Sequence, residues 1–284
     1  MTTIDAYFSE LYGTDGESVV LPMPKCKSVQ LVLRDPHSFA IYRKRENFVL
    51  PPYGPFLKAI IEDPEDEPAL ERICWLIYAA LALHADQPMP RFERAFPTDT
   101  EHLSEDFLAT HPDIYTLPEG QLKTVSQIIE GIAQINASRF DVGVERLILA
   151  IRHSWNDKKH NESVIDTAIG LESIFNDHEH PISYTIAIRA ACLLEAASDR
   201  RRSLFKFLKV MYGIRSQLVH GNPIKESSTK GYQEAADWVG HEIKSRDELA
   251  RTYRTVLRQS LVKVASENVT ISGEEFDSRV LGRS

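Results

Sequence analysis

Hydrophobic positions change period along the chain. Up to about residue 60 they fall in short β-prone runs, Ser18-Val19-Val20-Leu21, Val29-Gln30-Leu31-Val32-Leu33 and Ser38-Phe39-Ala40-Ile41-Tyr42. Pro22, Pro24, Asp35-Pro36 and Pro51-Pro52 punctuate them. This pattern predicts two or three short strands or extended segments. The acidic stretch Glu62 to Pro68 reads as a solvated loop running into the negative first turn of a helix. Helical periodicity then takes over. It predicts a helix over 68–85, a proline-bearing linker from Pro88 to Pro97 and a weaker helix over 100–109, closed by Pro112 and Pro118. Further helices are predicted over 119–136, 139–156, 161–176, 183–197, 200–220 and 230–266. In the last of these, Leu249, Tyr253, Val256, Leu257, Leu261 and Val264 recur at steps of three and four and mark one apolar stripe. The expected architecture is therefore mostly α, with a small α+β region over 1–118 and a helical bundle over 119–284.

Composition narrows the function classes. Hydrophobic residues make up 43% of the 284, enough for a packed core. Thirty-three basic against forty-one acidic residues leave a net charge of −8, which argues against whole-surface attraction to nucleic acid or anionic lipid. A basic site must then be local. Cys26, Cys74 and Cys192 lie far apart with no C-x-x-C, a usage that fits a reducing cytoplasm. No signal peptide is evident in the first residues. The longest apolar run, Ile73 to Leu83, is far short of the roughly 20 residues of a membrane span.

The segment Arg200 to His220 breaks the pattern. At about 100° per residue, Leu204, Leu208, Met211 and Leu218 share a stripe, and Arg215 falls inside it. An unpaired buried guanidinium is costly, so Arg215 either meets an internal carboxylate or lies where the stripe opens onto a cleft. His220 follows at about 140° around the helix, and Gly221 with Asn222-Pro223 ends it. The imidazole could turn back to the Arg215 face or toward a second subunit. Arg200, Arg201, Arg202, Lys206, Lys209 and Arg215 are opposed between 199 and 220 only by Asp199. Such a patch suits phosphate contacts, and equally describes a solvated helix face.

Arg215-Ser216-Gln217-Leu218-Val219-His220 resembles the R-x₄₋₆-H motif of the HEPN superfamily. Its flanks resemble the Apea-like branch. A leucine–glutamate helix, Ala168 to Phe175, is followed by Ser183-Tyr184 leading to Arg189, and Tyr212 precedes the motif. The resemblance covers about residues 135–265, and residues 1–118 carry none. It implies a helical bundle and a metal-independent, dimeric endoribonuclease that leaves 2′,3′-cyclic phosphate ends. His220 would exchange protons with the ribose 2′-hydroxyl or the leaving oxygen; imidazole titrates near neutral pH, which suits either role. Arg215 would hold the scissile phosphate and stabilise the charge growing in the transition state. Ser216 is a candidate helper or a plain helix-surface serine. Glu172 and Arg189 would form a structural ion pair or hydrogen-bonding network, or support the site. Tyr212 reads first as a packing residue with a bonded hydroxyl. Related families act as toxins or antiphage effectors, so RNA, a second copy of the chain and an inhibitor or regulatory protein are the implied partners.

Other chemistry is less well supported. Asp177-His178-Glu179-His180, with His153 and His160 nearby, is the strongest metal candidate, but no H-E-x-x-H or C-x-x-C spacing accompanies it, and no metal or cofactor is expected. Nucleophile-elbow, Walker and dinucleotide-binding patterns are absent. A HEPN-like module that holds RNA or a partner protein without cutting is the alternative function.

Overall fold

The computed structural model describes residues 3–9, 11–12, 17–23, 25–34, 56–89, 91–97, 115–135, 137–155, 158–177, 182–221 and 227–282. The chain divides into two compact units, Met1–Gln134 and Ile135–Ser284. The division falls sixteen residues beyond the proline-rich boundary expected near 118, because the helix that follows those prolines packs on the first helix of the N-terminal unit.

In the N-terminal unit, β1 (Thr3–Ser9), β3 (Ser18–Leu21), β4 (Ser28–Arg34), β5 (Phe56–Glu62) and β6 (Arg91–Pro97) form an antiparallel sheet in the order β3-β4-β5-β1-β6. β2 (Leu11–Tyr12) and β7 (Tyr115–Thr116) pair in parallel. Between β4 and β5 the register sets Val29 opposite Ile61, Leu31 opposite Ala59 and Leu33 opposite Leu57. All six are fully buried, so the period-2 alternation of each strand becomes one apolar sheet face. The segment from Pro88 to Pro97, expected as a linker, contains strand β6. Pro97 closes the strand, and Arg91-Phe92-Glu93-Arg94-Ala95-Phe96 does not alternate strictly in polarity, so pairing with β1 rather than a local pattern defines it. The expected segment 38–42 and the expected helix 100–109 lie outside the described residues.

Helix α1 (Glu67–His84) begins where the acidic stretch predicts. Asp66 accepts from the Ala69 backbone N–H at 2.7 Å, Pro68 occupies the first turn and Glu67 complements the dipole. Its apolar run is buried from Ile73 to Leu83 apart from Trp75 and Tyr78, as expected of a core helix. At its end, Tyr115 donates to the Leu81 carbonyl at 3.0 Å, and His84 bridges Tyr115 at 2.8 Å and Gln121 at 3.3 Å. Helix α2 (Leu122–Ala133) packs on α1.

The C-terminal unit is all helical among the described residues: α3 (Ser138–Trp155), α4 (His160–Phe175), α5 (Ile182–Leu194), α6 (Ser198–Val219), α7 (Ser227–Val239), α8 (Arg246–Ser266) and α9 (Gly273–Val280). Helix α4 is central and touches α3, α5, α6 and α8. The single helix expected over 230–266 is two. Gly240 adopts φ +84°, a left-handed C-terminal position, and Ser245 starts α8 by accepting from the Glu248 N–H at 3.1 Å. The stripe from Leu249 to Val264 then lies on α8 alone and is buried throughout. Helix α9 was not anticipated. Ser272 caps it, and Phe276 packs on Phe175 with ring centroids 4.9 Å apart. None of the helices among the described residues is long and apolar enough to cross a membrane.

Candidate functional site

Helix α6 ends as its sequence dictates. Val219 is its last helical residue, and His220 keeps a near-helical backbone at φ −88° and ψ 5° while its N–H reaches the Ser216 carbonyl at 3.2 Å. Gly221 supplies the left-handed step at φ +68°. Because the backbone stays near-helical through His220, the separation of about 140° between Arg215 and His220 is retained. His220 is exposed, and no hydrogen bond or ion pair holds its ring among the described residues.

Arg215 faces inward and meets an internal carboxylate. Its Nη2 lies 3.3 Å from Oε1 of Glu172 on α4, with both side chains about one-fifth exposed. The Tyr212 hydroxyl donates to the same oxygen at 3.0 Å, and the guanidinium carbon sits 5.6 Å from the Tyr212 ring centroid. Arg215 Nε is buried with no acceptor. Burial, then the Glu172 charge and the hydrogen bond to it, push the Tyr212 hydroxyl up to about 12. It is therefore a neutral donor at physiological pH. Burial and the Glu172 charge also raise the buried Tyr253 hydroxyl on α8. One carboxylate thus organises Tyr212 and Arg215 from α6, beside Tyr253 from α8. Arg215 Nε is closed to solvent, so a phosphate would have to meet the side chain, about one-fifth exposed, elsewhere than at that donor.

Glu172 and Arg189 do not pair with each other. Arg189 on α5 is 1% exposed, donates twice to Asp277 of α9 at 2.8 and 2.9 Å, and reaches Asp177 at 2.8 Å and the Phe175 carbonyl at 2.7 Å. Burial works against the charge, but the two carboxylates outweigh it and hold the guanidinium firmly protonated. Arg189 is a clamp that fixes α9 and the end of α4. Asp277 lies 88 residues from Arg189, and no local pattern links them. Asp177, counted among the metal candidates, is taken by this clamp. His178, Glu179 and His180 lie outside the described residues, within which no group of three or more His, Cys, Asp or Glu is placed to hold a metal. His153 and His160 are engaged elsewhere, at 2.9 Å from Asp166 and 3.5 Å from Asp247.

The basic run divides. Arg200 forms a fork with Glu195 at 3.0 and 3.0 Å, and Trp238 Nε1 donates to the same carboxylate at 2.8 Å. Burial alone would raise the Glu195 pKa, but these bonds offset it and hold the carboxyl below its usual range. Arg201 donates to the Glu195 and Ala196 carbonyls at 3.0 and 3.1 Å and caps the end of α5. Arg202, Lys206 and Lys209 remain exposed. Ser216 is half-buried on the helix side between them and His220. The apolar stripe Leu204, Leu208 and Met211 is at most 2% exposed within the subunit. These three side chains belong to the core of the subunit and offer no surface that a second copy could cover.

In comparisons with known proteins, no family model, no curated protein and no solved structure matches the chain.

Proposed function

We propose that the chain is a metal-independent endoribonuclease of HEPN type, with Arg215 and His220 as its working pair. The observation that carries this reading is the Glu172–Tyr212–Arg215 cluster with His220 free at the end of the same helix. The cluster fixes a guanidinium whose side chain is about one-fifth exposed, and the helix end presents an unencumbered imidazole. The chemistry is a transesterification. The ribose 2′-oxygen bonds to phosphorus as the bond from phosphorus to the 5′-oxygen breaks. The proton of the 2′-hydroxyl goes to a base, and a proton is delivered to the leaving 5′-oxygen. His220 serves one of these transfers and Arg215 neutralises the phosphorane charge.

The separation of about 140° between the two side chains favours joint action across a two-fold homodimer, in which the arginine of one copy and the histidine of the other would line one cleft. Since Leu204, Leu208 and Met211 are core, the dimer surface would involve the α6 end, where Val219 is 50% exposed. A toxin or defence effector held by an inhibitor protein is the biological setting that this activity suits.

The same angular separation favours the second reading, a module that binds RNA or a protein without cutting. Incubation of the pure full chain with mixed RNA in EDTA separates the two. Cleavage that His220→Ala abolishes in a folded protein supports the ribonuclease. Robust cleavage by folded His220→Ala, or strict dependence on added divalent metal, overturns it.

A further inference from the structure

The exposed side of α6 carries a stripe that leads to His220 and has no part in the proposed proton transfers before that residue. Taking Arg202 as origin and about 100° per residue, Lys206, Lys209, Gly213, Ser216 and His220 all fall within about 40° of one line along the helix. Arg202, Lys206, Lys209, Gly213 and His220 are exposed and Ser216 is half-buried. The first three are cations, and neither Arg202 nor Lys206 has a polar partner among the described residues. The line is about 27 Å long at 1.5 Å per residue and ends on the free imidazole.

An aromatic pair flanks the stripe. Tyr184 of α5 is a large aromatic side chain 52% exposed to solvent. Phe205 holds its ring edge-to-face at 5.5 Å and an interplanar angle of 78°. The Lys209 ammonium lies 6.0 Å from the Tyr184 centroid and 5.9 Å from that of Phe205. The side chain loses apolar burial by standing in water, yet its orientation is fixed by a second ring and a cation. Cations that line a strand's phosphates, interleaved with a ring of defined orientation, are the two components of single-strand recognition. A duplex has no free base face to offer such a ring.

We propose that the Arg202–Lys206–Lys209 stripe is the track along which single-stranded RNA approaches His220, with Tyr184 as the platform on which one unpaired base stacks. The identity of the strand rests on the ribonuclease reading, and the track itself does not. Charge complementarity selects the occupant: the chain carries −8 overall, and this stripe has no acidic residue on its line. The committed cations Arg200 and Arg201 are outside it. An acidic peptide could satisfy the cations but would gain nothing from an aromatic platform suited to a base.

The test is fluorescence anisotropy with the full chain and a labelled, 2′-O-methylated single-stranded RNA, which presents no 2′-hydroxyl for cleavage. The affinity should fall with salt. The double variant Lys206→Gln/Lys209→Gln should flatten the slope of log affinity against log salt by roughly 1.4, at about 0.7 per single-strand phosphate contact. Arg200→Gln should leave that slope unchanged. Tyr184→Ala should weaken binding about tenfold at fixed salt with the slope preserved, and Tyr184→Trp should retain affinity. Arg202→Gln, three residues before Phe205 and seven before Lys209, gives an independent reading of the track in a separately folded variant. The proposal is overturned if the slope is the same in the Lys and Arg202 variants, if a duplex binds as tightly as the single strand, or if an acidic peptide competes equally. Binding with no cleavage of unmodified RNA would remove the ribonuclease reading and leave the track standing; cleavage without binding on this stripe would do the reverse.

Discussion

Replacing Glu172 by glutamine keeps an acceptor for Tyr212 but deletes the charge that Arg215 faces. Two unit charges 3.3 Å apart interact by about 5 kcal/mol at an effective dielectric of about 20. Desolvation opposes much of this, and with each side chain about one-fifth exposed, solvent screens part of the rest. A net cost of about 1–2 kcal/mol for Glu172→Gln follows, or roughly 2–8 °C in Tm for a unit near 150 residues. The cost should reside in the pair. A double-mutant cycle of Glu172→Gln and Arg215→Met, followed by thermal unfolding of the full chain, should give a coupling energy of about 1 kcal/mol or more. Glu172→Gln should be less damaging in the Arg215→Met background, since no guanidinium is then left uncompensated. Additivity of the two substitutions within about 0.3–0.5 kcal/mol would refute the claim that Glu172 holds Arg215.

Other outcomes follow from particular contacts. Arg189→Met should cost about 2–4 kcal/mol, read by urea unfolding, because it strands two carboxylates and a buried carbonyl; the half-exposed Asp277 keeps the loss below that of a fully buried pair. Gly213→Ala should stabilise by about 0.5–1 kcal/mol, since a Cβ there meets nothing within 4 Å on an exposed helix face. Gly170→Ala should destabilise by about 1–3 kcal/mol, since its Cβ would come within 2.5 Å of Leu257 Cδ2 where α4 crosses α8. Tyr212 is raised from 10 to about 12 in the fold, so its contribution to stability is complete below about pH 10 and is lost as pH rises toward 12. Tyr212→Phe should therefore lose less stability than the unchanged chain between those limits, as measured by urea unfolding at each pH.

Much of the helical order was legible because apolar side chains recur at three and four residues wherever a helix must bury one face. The ends at Asp66, Gly221 and Gly240 follow from capping chemistry, although the break at Gly240 was hidden inside one long helical pattern. Strands β1, β5 and β6 were not read, since their partners lie far apart in sequence and pairing supplies what local propensity does not. For the site, the out-of-pattern Arg215 called for either an internal carboxylate or a cleft, and Glu172 supplies the carboxylate. The destination of Arg189 could not be read, because Asp277 reaches it only through tertiary packing, and the Trp238 indole comes to the Glu195 carboxylate beside Arg200 in the same way. The exposed Tyr184 was visible only as a residue of the family resemblance; its exposure depends on how α5 meets α6.

The central claim is that the Arg215–His220 helix end promotes attack of a ribose 2′-hydroxyl on phosphorus. Its most direct test is the chemistry of the new ends when pure protein cleaves RNA in the presence of EDTA. The account predicts 2′,3′-cyclic phosphate on one product and a 5′-hydroxyl on the other, both absent with His220→Ala. Products ending in a 3′-hydroxyl and a 5′-phosphate would contradict it.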